Sequence, residues 1–165
     1  MRNPQYWIKH LNLISHPEGG YYKEVYRSDE GITTDSLPGR FPNDRVFSTS
    51  IYFLLEKGDF SAFHRIKSDE VWHFYDGDPV SIYVIDNNGK LIIHKLGLSP
   101  DIGIVPQVTI PANLWFASES TGAFSLVGCT VSPGFDFNDF EMGDKDNLII
   151  LYPEHRGVIR RYTRV

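Results

Sequence analysis

Only one cysteine, Cys129, occurs in the 165 residues, which excludes an intramolecular disulfide and any zinc site built from several thiolates. Its setting, Leu126-Val127-Gly128-Cys129-Thr130-Val131, is an apolar strand, where a thiol is buried and inert and not a nucleophile. No apolar run approaches the roughly 20 residues needed to cross a bilayer, and no charged-then-apolar leader opens the chain, so a cytoplasmic protein with no membrane contact is expected. Several standard sites are missing: there is no G-x-S-x-G elbow, no glycine-rich phosphate loop, no H-E-x-x-H and no paired C-x-x-C. Positive charge is also short. Lys and Arg number 16 against 21 Asp and Glu, for a net charge of -5. The two signs interleave, which leaves no basic face for a nucleic-acid backbone. Arg156, Arg160, Arg161 and Arg164 form the one basic cluster, read as a solvated or subunit-contacting face on a terminal segment.

What the chain has in quantity is aromatic and β-branched sequence in short runs. Hydrophobic residues make up 41% and aromatics 14%, with 11 Phe and 9 Tyr, a composition that favours strands. One domain spanning 1–165 is the expectation from length. Asn3 followed by Pro4 reads as a helix N-cap and first position, with Trp7, Ile8 and Leu11 on one face. About nine short strands follow at the spacing of a sandwich or barrel. They include Tyr21 to Arg27, Arg45 to Leu55, Phe60 to Ile66, Glu70 to Tyr75 and Ala123 to Val131. Asn88-Gly89 marks a hairpin between two of them. The polar stretch 28–44 is long for a connection and reads as a lid, binding loop or subunit arm. Pro153 opens a final short helix carrying Val158, Ile159 and Tyr162. The fold class is therefore all-β with short helices at both ends.

The stretch from Gly58 to Gly77 carries the chemistry. It holds His64 and Glu70 on two strand-like runs around a tight polar turn, so both can face one cavity. The spacing Gly58, His64, Glu70, Gly77 resembles the first cupin motif, although Ile66 stands at its second histidine. Further afield, His16-Pro17-Glu18-Gly19-Gly20-Tyr21-Tyr22, Ser68-Asp69-Glu70-Val71-Trp72-His73 and Val131-Ser132-Pro133-Gly134-Phe135-Asp136-Phe137 resemble the hallmarks of the cupin-5 family of small single-domain proteins. The resemblance implies the cupin jelly roll, a double-stranded β-helix, and no particular activity.

In metal-binding cupins, two histidines and the glutamate of the first motif plus a histidine of the second hold Fe, Mn, Ni or Zn. The second motif here would be Pro111 to Phe116, with Phe116 at its histidine, so two of four ligands are missing. A divalent first-row metal would rest on His64, Glu70 and His73, the last needing a bulge to turn inward. Without a metal, Glu70 beside His64 makes a general base, as in the metal-free sugar-nucleotide epimerases of the superfamily. The expected ligand lining is Tyr22, Glu24, Arg27, Ser50, Tyr52, His73 and Gln107. The expected activity is binding of a small polar, sugar-nucleotide-like ligand with metal-free His/Glu acid-base chemistry. The alternatives are a metal-dependent oxygenase or isomerase and a non-enzymatic binding or storage cupin. A homodimer is expected, since cupins associate.

Overall fold

The computed structural model describes residues 2–164. Helix α1 (Pro4–Leu11) starts where the sequence places it: Asn3 accepts the Tyr6 N–H at 2.9 Å and Pro4 takes the first helical position. The chain then forms β1 (Ile14–Ser15), β2 (Tyr21–Arg27), β3 (Gly31–Ile32), β4 (Arg45–Val46), β5 (Thr49–Glu56), β6 (Phe60–Arg65) and β7 (Asp69–Gly77). There follow β8 (Val80–Ile85), β9 (Leu91–Leu96), β10 (Gln107–Ile110), β11 (Trp115–Ser120), β12 (Phe124–Ser132) and β13 (Glu141–Met142). Two helices, α2 (Lys145–Leu151) and α3 (Arg156–Arg161), complete it.

A six-stranded sheet, β1-β2-β5-β12-β7-β10, lies against a five-stranded sheet, β13-β6-β11-β8-β9, and every named pairing is antiparallel. The two sheets share no hydrogen-bonded strand pair, so the jelly roll is a sandwich and not a closed barrel. Phe53, Leu55, Trp72, Val80, Ile82, Val84, Val127 and Phe116 fill one end of the space between the sheets. The other end holds polar side chains and the cavity described below. Alternation along the strands sends the remaining apolar residues outward. On the five-stranded sheet Phe63, Ile85, Trp115 and Ala117 meet Leu148, Ile159 and Tyr162 of the C-terminal segment. On the six-stranded sheet Leu54 and Leu126 pack with Trp7, Ile8 and Leu11 of α1.

The run Leu148 to Leu151, which the sequence leaves unassigned, belongs to α2, capped by Asp144 through the Asn147 N–H at 2.8 Å. The four terminal arginines are exposed, as a solvated face requires, and two of them also make defined bonds. Arg164 donates to the carbonyls of Glu18 (3.1 Å) and Phe60 (2.8 Å) and to Asp59 (2.6 Å), and Arg161 pairs with Glu119 at 3.0 Å.

The segment between β12 and β13 folds back over the open end of the sandwich. It is held by a buried ion pair: Arg45 Nε and Nη2 donate to Asp139 Oδ2 and Oδ1, both at 2.6 Å. The two side chains are only 2% and 4% exposed, and Arg45 Nη1 also donates to the carbonyls of Asn43 and Asp44. Removing one partner of such a pair strands a charge away from water. We expect Asp139→Ala to lower unfolding stability by about 3 kcal/mol in urea denaturation, with the double change Arg45→Met/Asp139→Leu costing clearly less. A loss below about 1 kcal/mol for Asp139→Ala would mean that the pair does not hold the segment.

Candidate functional site

The cavity at the open end has a volume of about 520 Å³, within the usual range for small-molecule sites. The six-stranded sheet supplies one wall: Tyr22, Glu24 and Arg27 of β2, Thr49 and Ile51 of β5, Cys129 and Val131 of β12, and Glu70 of β7. The five-stranded sheet supplies His64, followed by Ile66. The turn before β2 adds His16 and Glu18, and the returning segment adds Phe135, Asp136, Phe137 and Phe140.

The turn is built by its glycines. Gly19 has φ +114°, and a Cβ there would fall 2.1 Å from the Phe60 carbonyl oxygen, so no other residue fits. The Gly20 N–H donates to Asp59 at 2.8 Å and the Ala62 N–H to the Glu18 carbonyl at 2.8 Å. This docks Glu18 against β6, where its side chain meets His64.

The hydrogen bonds of that pair fix where the protons sit. His64 Nδ1 lies 2.8 Å from the Ala62 carbonyl oxygen, which can only accept, so Nδ1 carries a hydrogen. His64 Nε2 lies 3.1 Å from Glu18 Oε2, a contact that is favourable when one of the two atoms carries a proton. The Ser61 hydroxyl donates to the other oxygen, Glu18 Oε1, at 2.9 Å. Burial raises the Glu18 pKa, against the pull of His16, Ser61 and Arg164, and burial lowers that of His64, against the pull of Glu70. Both directions bring the proton affinities of the carboxyl and the imidazole closer together, so that a proton can pass between them at little cost. His16 joins as an acceptor: its Nδ1 takes the Glu18 N–H at 3.3 Å, and burial lowers its pKa.

Glu70 stands apart from this dyad. It is 8% exposed, and burial, more than the opposing attraction of His64, raises its pKa to about 7. The Cys129 thiol and the Trp72 indole are its polar neighbours. The indole Nε1 nonetheless has no well-formed hydrogen bond among the described residues. Burial and Glu70 together push the Cys129 thiol well up, as an inert thiol requires.

Of the residues expected from sequence, His64, Glu70, Tyr22, Glu24 and Arg27 come together at the cavity. Arg27 does so because β2 bulges between Glu24 and Tyr26, which restores it to the face of Glu24. Its guanidinium then grips Glu24 in two bonds of 2.9 and 2.8 Å. Ser50, Tyr52, His73 and Gln107 are elsewhere. Ser50 and His73 each approach the Thr130 hydroxyl, at 3.3 and 3.4 Å, on the outer face of the six-stranded sheet. Tyr52 lies in an outer groove with Trp7 and Tyr75. Gln107 is exposed and pairs with His73 on the edge strand β10. No residue of 28–44 lines the cavity, so the covering role belongs to the 135–140 segment. The sequence reading missed His16 and Glu18 as site residues, whose signal was a histidine and a glutamate two apart in the turn that ends in Gly19-Gly20.

The donor set does not suit a metal. Ile66 and Phe116 stand at two ligand positions, and the Phe116 ring packs 4.2 Å from the His64 ring. His73 faces away, because β7 alternates regularly through Glu70, Trp72 and His73. His64 Nδ1 is bonded to the Ala62 carbonyl and Nε2 is 3.1 Å from Glu18, and among the described residues no three His, Cys, Asp or Glu side chains converge as ligands.

An acid whose native pKa lies above its unfolded value binds more protons when folded. Its contribution to stability is therefore complete at low pH and lost as pH rises between the two values. For Glu70 that window runs from its ordinary 4.5 to about 7, a loss on the order of 3 kcal/mol. We expect Glu70→Gln to gain on the wild type progressively from pH 4.5 to 7 in denaturation series. Parallel curves for the two proteins would show that Glu70 ionises normally.

Three stretches quoted from the sequence, around His16, Glu70 and Phe135, thus meet at one cavity. The chain is 41% identical to protein SO0799 from Shewanella oneidensis, whose X-ray structure superposes with a TM-score of 0.90 over 99% of each chain. It is 29% identical over 164 residues to the uncharacterized protein YML079W of Saccharomyces cerevisiae, spanning 91% of this chain and 81% of the yeast protein. A variant of Bacillus subtilis oxalate decarboxylase is 15% identical with a TM-score of 0.55, over 84% of this chain and 34% of that one, a likeness of fold alone. The family described as "Cupin superfamily (DUF985)" matches residues 5–143. A two-sheet jelly roll with those motifs gathered at its open end, matched over most of its length, makes this chain a member of the DUF985 family of cupins.

Proposed function

We propose that the cavity binds a small polar ligand and moves a proton on it without a metal. The observation that carries this is the 3.1 Å approach of Glu18 Oε2 to His64 Nε2, both on the lining of the cavity. A carboxylic acid and an imidazole sharing one proton can deliver it to a ligand atom or take one up with little reorganisation. Glu70, with a pKa of about 7, supplies a second group able to change protonation near neutral pH. The sugar-nucleotide form of this reading is the weaker one. A diphosphate calls for a free cation, and Arg27, the one Arg or Lys on the lining, is engaged by Glu24.

Ligands found by thermal shift should exchange a carbon-bound or hydroxyl-adjacent proton for solvent deuterium, as read by NMR. We expect Glu18→Gln to slow that exchange by about 100-fold or more and His64→Ala to abolish it. Exchange at the wild-type rate in both variants would refute proton transfer by the dyad, and binding without exchange in the wild type would favour the non-enzymatic alternative.

We also propose a homodimer, supported by the outer face of the six-stranded sheet, where Tyr26 and Tyr75 are 52% and 48% exposed. Light scattering should give twice 18.9 kDa; a monomer mass would rule the dimer out.

A further inference from the structure

The fixed charges on the cavity wall are unequal. Arg27 and Glu24 cancel in their bidentate pair, and Glu18 with His64 holds one proton and no net charge. Two carboxyls remain. Asp136 forms no ion pair among the described residues, although Arg27 and Arg45, each engaged by another carboxylate, are within range of its charge; its one side-chain hydrogen bond is accepted from the Asn138 N–H at 2.8 Å. Glu70 is more than nine-tenths buried, lines the cavity beside the Cys129 thiol and the Trp72 indole, forms no ion pair among the described residues, and becomes a carboxylate at about pH 7. A ligand that satisfied these two groups would bring positive charge or N–H donors, not phosphate.

The wall beside Asp136 is aromatic in a particular way. The rings of Phe135, Phe137 and Phe140 meet pairwise at 81°, 70° and 70°, with centroids 5.0, 6.3 and 6.2 Å apart. All three line the cavity, so their near-perpendicular planes form a corner. His16 adds a fourth ring 6.1 Å from Phe140 and 6.4 Å from Phe137. Perpendicular aromatic rings next to a carboxylate suit an alkylated ammonium group, whose charge is drawn to the ring faces and whose methyl groups fill the corner. Phe137 is 56% exposed. A large apolar side chain left open at the rim of a cavity has surface still to cover.

We propose that the ligand of this cavity is a small organic cation, an amine or quaternary ammonium. It sits against the Phe135, Phe137 and Phe140 corner, countered by Asp136 and, deeper, by Glu70. This rests on the reading that the cavity binds a ligand, and it names the ligand's class. The reactive end of such a molecule reaches the Glu18–His64 dyad while its cationic head stays at the rim.

Titration calorimetry of the full chain with choline, with its uncharged carbon isostere dimethylbutanol and with UDP-glucose tests the assignment. We expect choline to bind at least about tenfold more tightly than the isostere and UDP-glucose not to bind. Phe137→Leu, which keeps apolar bulk but loses the ring, and Asp136→Asn, which keeps the oxygen that caps Asn138, should each weaken choline by about fivefold or more. Both positions are at the rim, and wild-type unfolding curves for the two variants would show that the fold is intact. Equal affinity for choline and isostere, no binding of choline, or choline binding indifferent to both variants would each overturn the cation. UDP-glucose bound by wild type and lost in His64→Ala would also overturn it while leaving the ligand-binding reading in place. If nothing binds, the inference falls, and the deuterium-exchange experiment decides the underlying reading separately.

Discussion

The proton between Glu18 and His64 is what allows a polar end to exist inside this sandwich at all. Four titratable side chains, His16, Glu18, His64 and Glu70, are gathered where an ordinary β-sandwich would place valine and leucine. Burying them as ions would cost several kcal/mol each. The structure avoids that cost by neutralising them: one proton serves two groups, Ser61 and the Ala62 carbonyl take up what remains, and Glu70 keeps its own proton to about pH 7. The apolar end, with Trp72, Phe116 and Phe53 in edge-to-face contact, supplies the stability that this arrangement does not.

Much of the fold was legible because strands that cover a core on one face alternate, and turns announce themselves. Tyr21–Arg27 has the bounds that period and punctuation indicate, and Asn88-Gly89 does join two paired strands, β8 and β9. Helix α2 was not legible. Its apolar run is four residues long, too short to show a helical period, and its cap at Asp144 lies in an acidic stretch that reads as loop. The site was half legible for a related reason. His64 and Glu70 stand out by spacing, but the partner of His64 comes from a turn more than 40 residues earlier, and only the tertiary fold brings Glu18 to it.

Parity decided the rest of the lining. A single extra residue in β2, between Glu24 and Tyr26, turns Arg27 inward, against the alternation that the sequence suggests. β7 has no such irregularity before His73, so that histidine stays outside. Ser50 and Tyr52 fall outside by the same rule, one residue away from Thr49 and Ile51, which line the cavity. Where metal-binding relatives of this fold would converge histidines, Ile66 and Phe116 supply bulk, and the imidazole that remains has a carboxyl for a partner in place of an ion.

The returning segment has a further bearing on how such a protein can change. The residues that hold protons are spread over the turn before β2 and the strands β6 and β7, locked together by register and by the Gly19 turn. The aromatic rim is one unbroken stretch, 135–140, fastened by Asp139 on Arg45 and by the Phe135 N–H on the Thr49 hydroxyl. Selection can therefore rewrite which molecule is admitted by exchanging half a dozen adjacent codons, while the apparatus that handles the proton is inherited unaltered.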